Sequence, residues 1–146
     1  MRLDLVLEPD SPQRFKELGL LAESLGFGCV WTANHIAARD PFMSFMPLAA
    51  DSAAIRMGPI AVSPYELHPI KIANQLSTLN EAAAGRANIV VGGGGGTVIG
   101  LGMKPGRRDM IPLMVRAVRE CSEILQVAAR ACPLVYQGEL FDGRGY

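Results

Sequence analysis

Four short apolar runs, residues 3–7, 29–32, 55–62 and 87–91, alternate with stretches of helical periodicity, and this alternation limits the possible folds more than any other feature. Each run is nearly continuous in hydrophobicity, as expected of a strand covered on both faces. The first helical stretch opens at Ser11-Pro12, an N-cap followed by a first-turn proline. Phe15, Leu18, Ala22 and Leu25 follow at helical spacing, and Gly26 is placed to stop the helix. A second stretch, rich in Met, Leu and Ala, runs from about residue 42 to residue 54. A third starts near Pro69, with Ile72, Ala73, Leu76 and Leu79 on one face and Gly85 closing it. The fourth carries Ile111, Met114, Val118, Cys121 and Leu125 at steps of three and four, the spacing of a core-facing stripe. Strand then helix, four times over, predicts parallel strands joined by right-handed crossovers. An open doubly wound sheet and part of a (β/α)8 barrel both satisfy that pattern, and periodicity alone does not separate them.

The chain has 146 residues, the size of one ordinary domain and well short of the roughly 250 of a complete (β/α)8 barrel. Fourteen basic residues balance fourteen acidic ones, so bulk charge draws the chain neither to nucleic acid nor to an anionic membrane. No apolar run reaches the ~20 residues needed to cross a bilayer. Function must therefore lie in a site. Cys29, Cys121 and Cys132 form no CxxC pair, and with two histidines there is no zinc-site spacing. They are expected as reduced thiols in the core of a cytoplasmic protein, with no resident metal.

Parallel α/β folds bind ligands at the carboxyl ends of their strands, and the unusual residues of this chain gather at those ends. Glu8-Pro9 follows the first run, Asn34-His35 and Arg39-Asp40-Pro41 the second, Ser63-Pro64-Tyr65 and His68-Pro69 the third. Five glycines, residues 92–96, follow the fourth. Glycine at a strand mouth lets a flat ligand or a second backbone come close, although a flexible linker has the same composition. The run matches neither GxGxxG nor the P-loop pattern, and a dinucleotide fold would carry its glycines after the first strand, where this chain has Glu8-Pro9-Asp10. His35 is either structural or a group that shuttles a proton or holds a substrate near neutral pH. His68 reads as a residue that orders the entry to the third helix. Glu8 is open between a general acid and a helix cap.

In order and spacing these segments resemble the luciferase-like flavin/deazaflavin oxidoreductases. The resemblance is carried by residues 22–27 (AESLGF), 30–35 (VWTANH), 39–42 (RDPF), 55–65 (IRMGPIAVSPY), His68-Pro69, Thr78-Leu79, Gly85-Arg86, the glycine run, Leu101-Gly102 and residues 136–141 (YQGELF). Together they cover essentially the whole chain. The resemblance implies the first four βα units of a (β/α)8 barrel, with residues 1–146 forming the N-terminal half of the barrel domain. Within the family, residues 58–65 look most similar to methylenetetrahydromethanopterin reductases and their relatives that use coenzyme F-420. That implies a non-prolyl cis peptide at Ile60–Ala61, in a bulge backing the central ring of the deazaflavin, with an ordinary trans bulge as the alternative. His35 matches the family's active-site histidine. Asn34 stands where an aspartate is often found, and Thr97 where several deazaflavin enzymes carry an acidic residue.

The implied chemistry is hydride transfer between the deazaflavin and a small organic substrate. His35 is the expected catalytic residue, and Asn34, Ile60, Ala61, Ser63, Gly95, Gly96 and Thr97 the expected cofactor-binding residues. One rival keeps the enzyme class with FMN as cofactor. A second is a barrel half that binds a flavin or a partner without turnover, which the missing carboxylates at Asn34 and Thr97 favour. With apolar edges at the first and fourth strands, the chain is expected to behave as a fragment that binds cofactor poorly and is weakly stable or forms a homo-oligomer.

Overall fold

The computed structural model describes residues 1–8, 10–102, 107–130 and 133–145. Pro9 and Cys132, both singled out above, lie outside them. The chain runs β1 (Asp4–Val6), α1 (Pro12–Ser24), β2 (Cys29–Ala33), α2 (Pro41–Asp51), β3 (Arg56–Val62), α3 (Pro69–Ala82), β4 (Val90–Val91), α4 (Gly95–Gly100), α5 (Arg107–Ala128), β5 (Val135–Gln137) and β6 (Asp142–Arg144). One sheet has the order β1-β2-β3-β4, and β5 and β6 form a separate antiparallel pair. β1 lies parallel to β2, and β2 parallel to β3. The expected alternation is present. The fourth helical stretch is α5, while the short α4 that begins in the glycine run and the β5–β6 hairpin have no counterpart in the periodicity.

Helix starts follow local chemistry. The Ser11 hydroxyl accepts from the Arg14 N–H at 3.1 Å, with Pro12 opening α1. Asp40, placed above among site candidates, caps α2 instead: its carboxylate accepts from the Met43 N–H at 2.8 Å, and Pro41 is the first helical residue. His68 orders the start of α3 as expected, its Nδ1 accepting from the Ile70 N–H at 3.3 Å.

The chain divides into two units. The first comprises Met1–Ala61 and Gln75–Val90. Its core joins α1 to α2 through Phe15 and Phe45, whose rings meet edge to face with centroids 4.8 Å apart. Beside them Gly19 faces Leu48, and a side chain at Gly19 would collide with the leucine methyls. The stripe on α1 is therefore Phe15, Gly19 and Ala22; Leu25, expected in it, is exposed because it lies beyond the last helical turn. Register aligns Val30 with Met57 and Thr32 with Pro59, all buried. Coverage on both faces does not hold for the first run, where Leu3, just before β1, and Val6 within it are 53% and 55% exposed, and β1 ends the strand order.

Two charged side chains lock the α2–β3 turn. Glu23 accepts from the N–H groups of Ala53, Ala54 and Ile55. Arg86 donates to Ser52 Oγ and the carbonyls of Ile55, Ala49 and Ser52 at 2.7–3.3 Å. At Gly58 a Cβ would be driven into the backbone carbonyl of Asn88, so glycine sets how closely β3 approaches the segment leading into β4.

The second unit comprises Val62–Asn74 and Val91–Tyr146. On α5 the buried positions are Ala117, Glu120, Cys121 and Ile124. The expected stripe is rotated: Ile111 is 64% exposed, and only Cys121 of the expected set is fully buried. The cause is Glu120, 1% exposed, which takes a core position to accept from the N–H groups of Glu139, Leu140 and Phe141 at 3.0–3.1 Å. Burial alone raises a carboxyl pKa, but these three donors outweigh it and hold Glu120 below the ordinary value.

Two outcomes follow. Gly58→Ala is expected to cost at least about 1–3 kcal/mol, since the obstacle is backbone, read from denaturant midpoints; an unchanged midpoint would contradict the close approach. Because the Glu120 pKa is lower folded than unfolded, its stabilisation is present above the unfolded value of about 4.3 and fades as pH falls through the folded one. Glu120→Gln should therefore destabilise by about 1–3 kcal/mol at neutral pH, with the gap to the wild type closing in acid. A gap independent of pH would argue against an ionised Glu120.

Candidate functional site

The end of β2 delivers Ala33, Asn34 and His35 in succession, and the end of β3 delivers Ile60 and Ala61. The backbone N–H of Asn34 donates to the carbonyl of Ile60 at 3.3 Å, tying the two strand ends together. The Ile60–Ala61 peptide bond is cis, as the resemblance implied. His35 does not stand alone: its Nε2 lies 3.3 Å from Glu8 Oε1, both side chains being more than half exposed. Sequence inspection put Glu8 and His35 at neighbouring strand ends without pairing them. The signal was available, since β1 and β2 lie parallel and adjacent and each residue stands two places past its strand.

One of the two roles left open for Glu8, the helix cap, is filled by another residue. The α1 N-cap is Ser11, so Glu8 is free to address the histidine. With Nε2 carrying the proton and donating to Glu8, Nδ1 presents a lone pair that can accept one. A cleft of about 200 Å³ opens beside the pair, lined among others by Phe15, Thr32, Arg39 and Ser44.

The remaining expected residues belong to the second unit. Ser63 is fully buried, its hydroxyl accepting from the Tyr65 N–H at 3.2 Å, and a Cβ on Gly94 would run into that hydroxyl. Gly94 adopts φ +72°, a left-handed conformation that glycine tolerates, and precedes α4. The glycine run is therefore only partly a loop, because Gly95 and Gly96 are already the first two residues of α4. Apart from their chain neighbours and their own helix, neither has an atom of the described residues within 4 Å of where a Cβ would lie, and both are exposed. Thr97, half-buried, follows them.

Other titratable groups serve structure. Burial pushes the thiols of Cys29 and Cys121 up to about 11. Glu23, like Glu120, is drawn below its ordinary value by backbone donors despite partial burial. Among the described residues no cluster of His, Cys, Asp and Glu could hold a metal ion, and no helix is long and apolar enough to cross a membrane. Cys29 and Cys121 should resist alkylation at pH 8 in the folded protein and react once it is denatured, read by mass spectrometry; modification of either at the rate of a free thiol would contradict their burial.

Comparison with known proteins bears on this arrangement. Residues 2–145 match the family described as luciferase-like monooxygenase. The 5,10-methylenetetrahydromethanopterin reductase of Archaeoglobus fulgidus is 30% identical over 129 residues, covering 86% of this chain and 36% of that protein. The structure of the coenzyme F-420-dependent tetrahydromethanopterin reductase from Methanopyrus kandleri superposes with a TM-score of 0.88 at 25% identity, over 99% of this chain and 44% of that one. The oxygenating constituent of 3,6-diketocamphane monooxygenase from Pseudomonas putida, in complex with FMN, is similar in fold, with a TM-score of 0.76 at 20% identity over 100% of this chain and 44% of that one. The chain thus spans less than half the length of each of these relatives. The open doubly wound sheet is set aside: the four parallel strands and their helices are part of a (β/α)8 barrel, and the chain belongs to the luciferase-like monooxygenase family.

Proposed function

We propose that the chain is the N-terminal half of an F-420-dependent oxidoreductase barrel, which moves a hydride between the deazaflavin and a small organic substrate. One observation carries this reading: Glu8, His35, Asn34 and Ile60 gather at the carboxyl ends of adjacent parallel strands, in a chain similar to a coenzyme F-420-dependent reductase. Deazaflavin, when bound, supplies the hydride chemistry. Asn34, Ile60, Ala61, Ser63, Gly95, Gly96 and Thr97 are the residues we assign to it. Ser63 contributes by supporting the Gly94 turn, and Gly95 and Gly96 by leaving space.

His35 is assigned as the proton-handling residue. Glu8 accepts from Nε2–H, which leaves the Nδ1 lone pair to take a proton. The carboxylate lacking at Asn34 is thereby supplied from the neighbouring strand end, which favours turnover over a purely binding role. FMN as cofactor is the second reading, supported by the fold shared with the FMN-bound oxygenating constituent of 3,6-diketocamphane monooxygenase. The whole enzyme's substrate is assigned as a small molecule and its assembly as a homo-oligomer.

Titration of F-420 and of FMN into the chain, followed by cofactor absorbance and fluorescence, tests the proposal. Weak binding with F-420 preferred is expected, weakened further in His35→Ala. Preference for FMN would replace the cofactor assignment, and an unperturbed spectrum with both would overturn the reading.

A further inference from the structure

The cleft beside Glu8 and His35 combines three features that the deazaflavin reading does not use. Thr32 lines it while only 8% exposed, and its hydroxyl has no hydrogen-bond partner among the described residues. Among the described residues Gln75 Oε1 is the one sealed side-chain polar atom without a partner, so the Thr32 hydroxyl is open to the cleft and able to donate there. Arg39 lines the same cleft, and among the described residues its guanidinium takes part in no ion pair or hydrogen bond. Phe15, Ala33 and Ala38 supply apolar lining.

The charges decide what such a cleft accepts. Glu8 also lines it, and its carboxylate disfavours an anion, but that carboxylate is engaged by His35 at 3.3 Å. Ser44 directs its hydroxyl proton to the Asp40 carbonyl at 2.7 Å. Arg39 and Thr32 are therefore the donors left to a ligand, and a planar guanidinium matches the two oxygens of a carboxylate. At about 200 Å³ the cleft is smaller than the ~300–1,000 Å³ of sites for drug-sized ligands. The apolar lining favours an acid with a short hydrocarbon body over an inorganic anion.

We propose that this cleft is a binding site for a small organic carboxylate, with the acid group on Arg39 and Thr32 and the hydrocarbon body against Phe15 and Ala38. It rests on the reading above only in its role, where it names the substrate class as a short-chain acid or a molecule with such an arm. Binding itself does not need the deazaflavin.

The test is a titration of the isotope-labelled full chain with sodium butyrate, followed by amide chemical shifts. Saturable shifts are expected at Thr32, Arg39 and Ser44. Butyramide, similar in shape and uncharged, is expected to bind at least about tenfold more weakly, the loss of a charge-assisted hydrogen bond. Arg39→Met and the near-isosteric Thr32→Val should each weaken butyrate by about fivefold or more, with the rest of the spectrum unmoved. Equal affinity for butyramide, unchanged affinity in Arg39→Met, or shifts away from the cleft would overturn the proposal. Inorganic phosphate binding as tightly as butyrate would overturn the organic part of the assignment. No cofactor is present, so failure here leaves the deazaflavin reading standing, and failure of the F-420 titration leaves the carboxylate site standing.

Discussion

The turn between α2 and β3 is gripped by opposite charges, and the placement of β3 depends on it. Residues 53–55 expose three consecutive N–H groups, and the Glu23 carboxylate collects them. Arg86 takes the carbonyls of Ala49, Ser52 and Ile55. Each unpaired backbone group here would carry a desolvation cost, and a charged partner satisfies several at once. Arg86 lies between α3 and β4, so the side chain that closes this turn also ties the next crossover to it. β3 begins one residue after the grip ends, at Arg56, and its register with β2 carries through to Ala33 opposite Ile60.

That register brings the strand ends together. Gly58 lets the segment around Asn88 lie against β3, which a side chain would prevent. Past the strands, backbone pairing gives way to side-chain chemistry, with Asn34 bonded to Ile60 and His35 facing Glu8. The contrast among the glutamates is instructive. Glu23 and Glu120 are surrounded by backbone donors that hold them ionised, which commits them to structure. Glu8 is exposed and meets a histidine rather than backbone donors, so the fold does not commit it to holding a turn.

Much of this architecture was legible in the residues. The order of strands and helices, the Ser11-Pro12 start of α1, the role of His68 and the convergence of unusual residues on strand ends are all local, set by periodicity or by neighbours within four positions. Where expectation and structure part, a distant contact intervenes. Gly19 joins the α1 stripe because Leu48 on another helix needs the space. The α5 stripe turns because Glu120 is drawn inward by residues 139–141. The glycine run ends inside α4, as Gly94 takes a left-handed conformation against Ser63.

The sequence by itself therefore determined the parallel α/β class of fold and the strand ends at which the unusual residues gather, since both follow from short-range patterns repeated along the chain. Tertiary structure decided which carboxylates meet a histidine and which meet backbone donors. Glu8 reaches His35 across 27 positions, Glu23 reaches Ile55 across 32, and Glu120 reaches Phe141 across 21. No periodicity encodes such pairings. They exist because parallel strands and packed helices bring remote backbone and side-chain groups within hydrogen-bonding distance, where desolvation makes each partner matter.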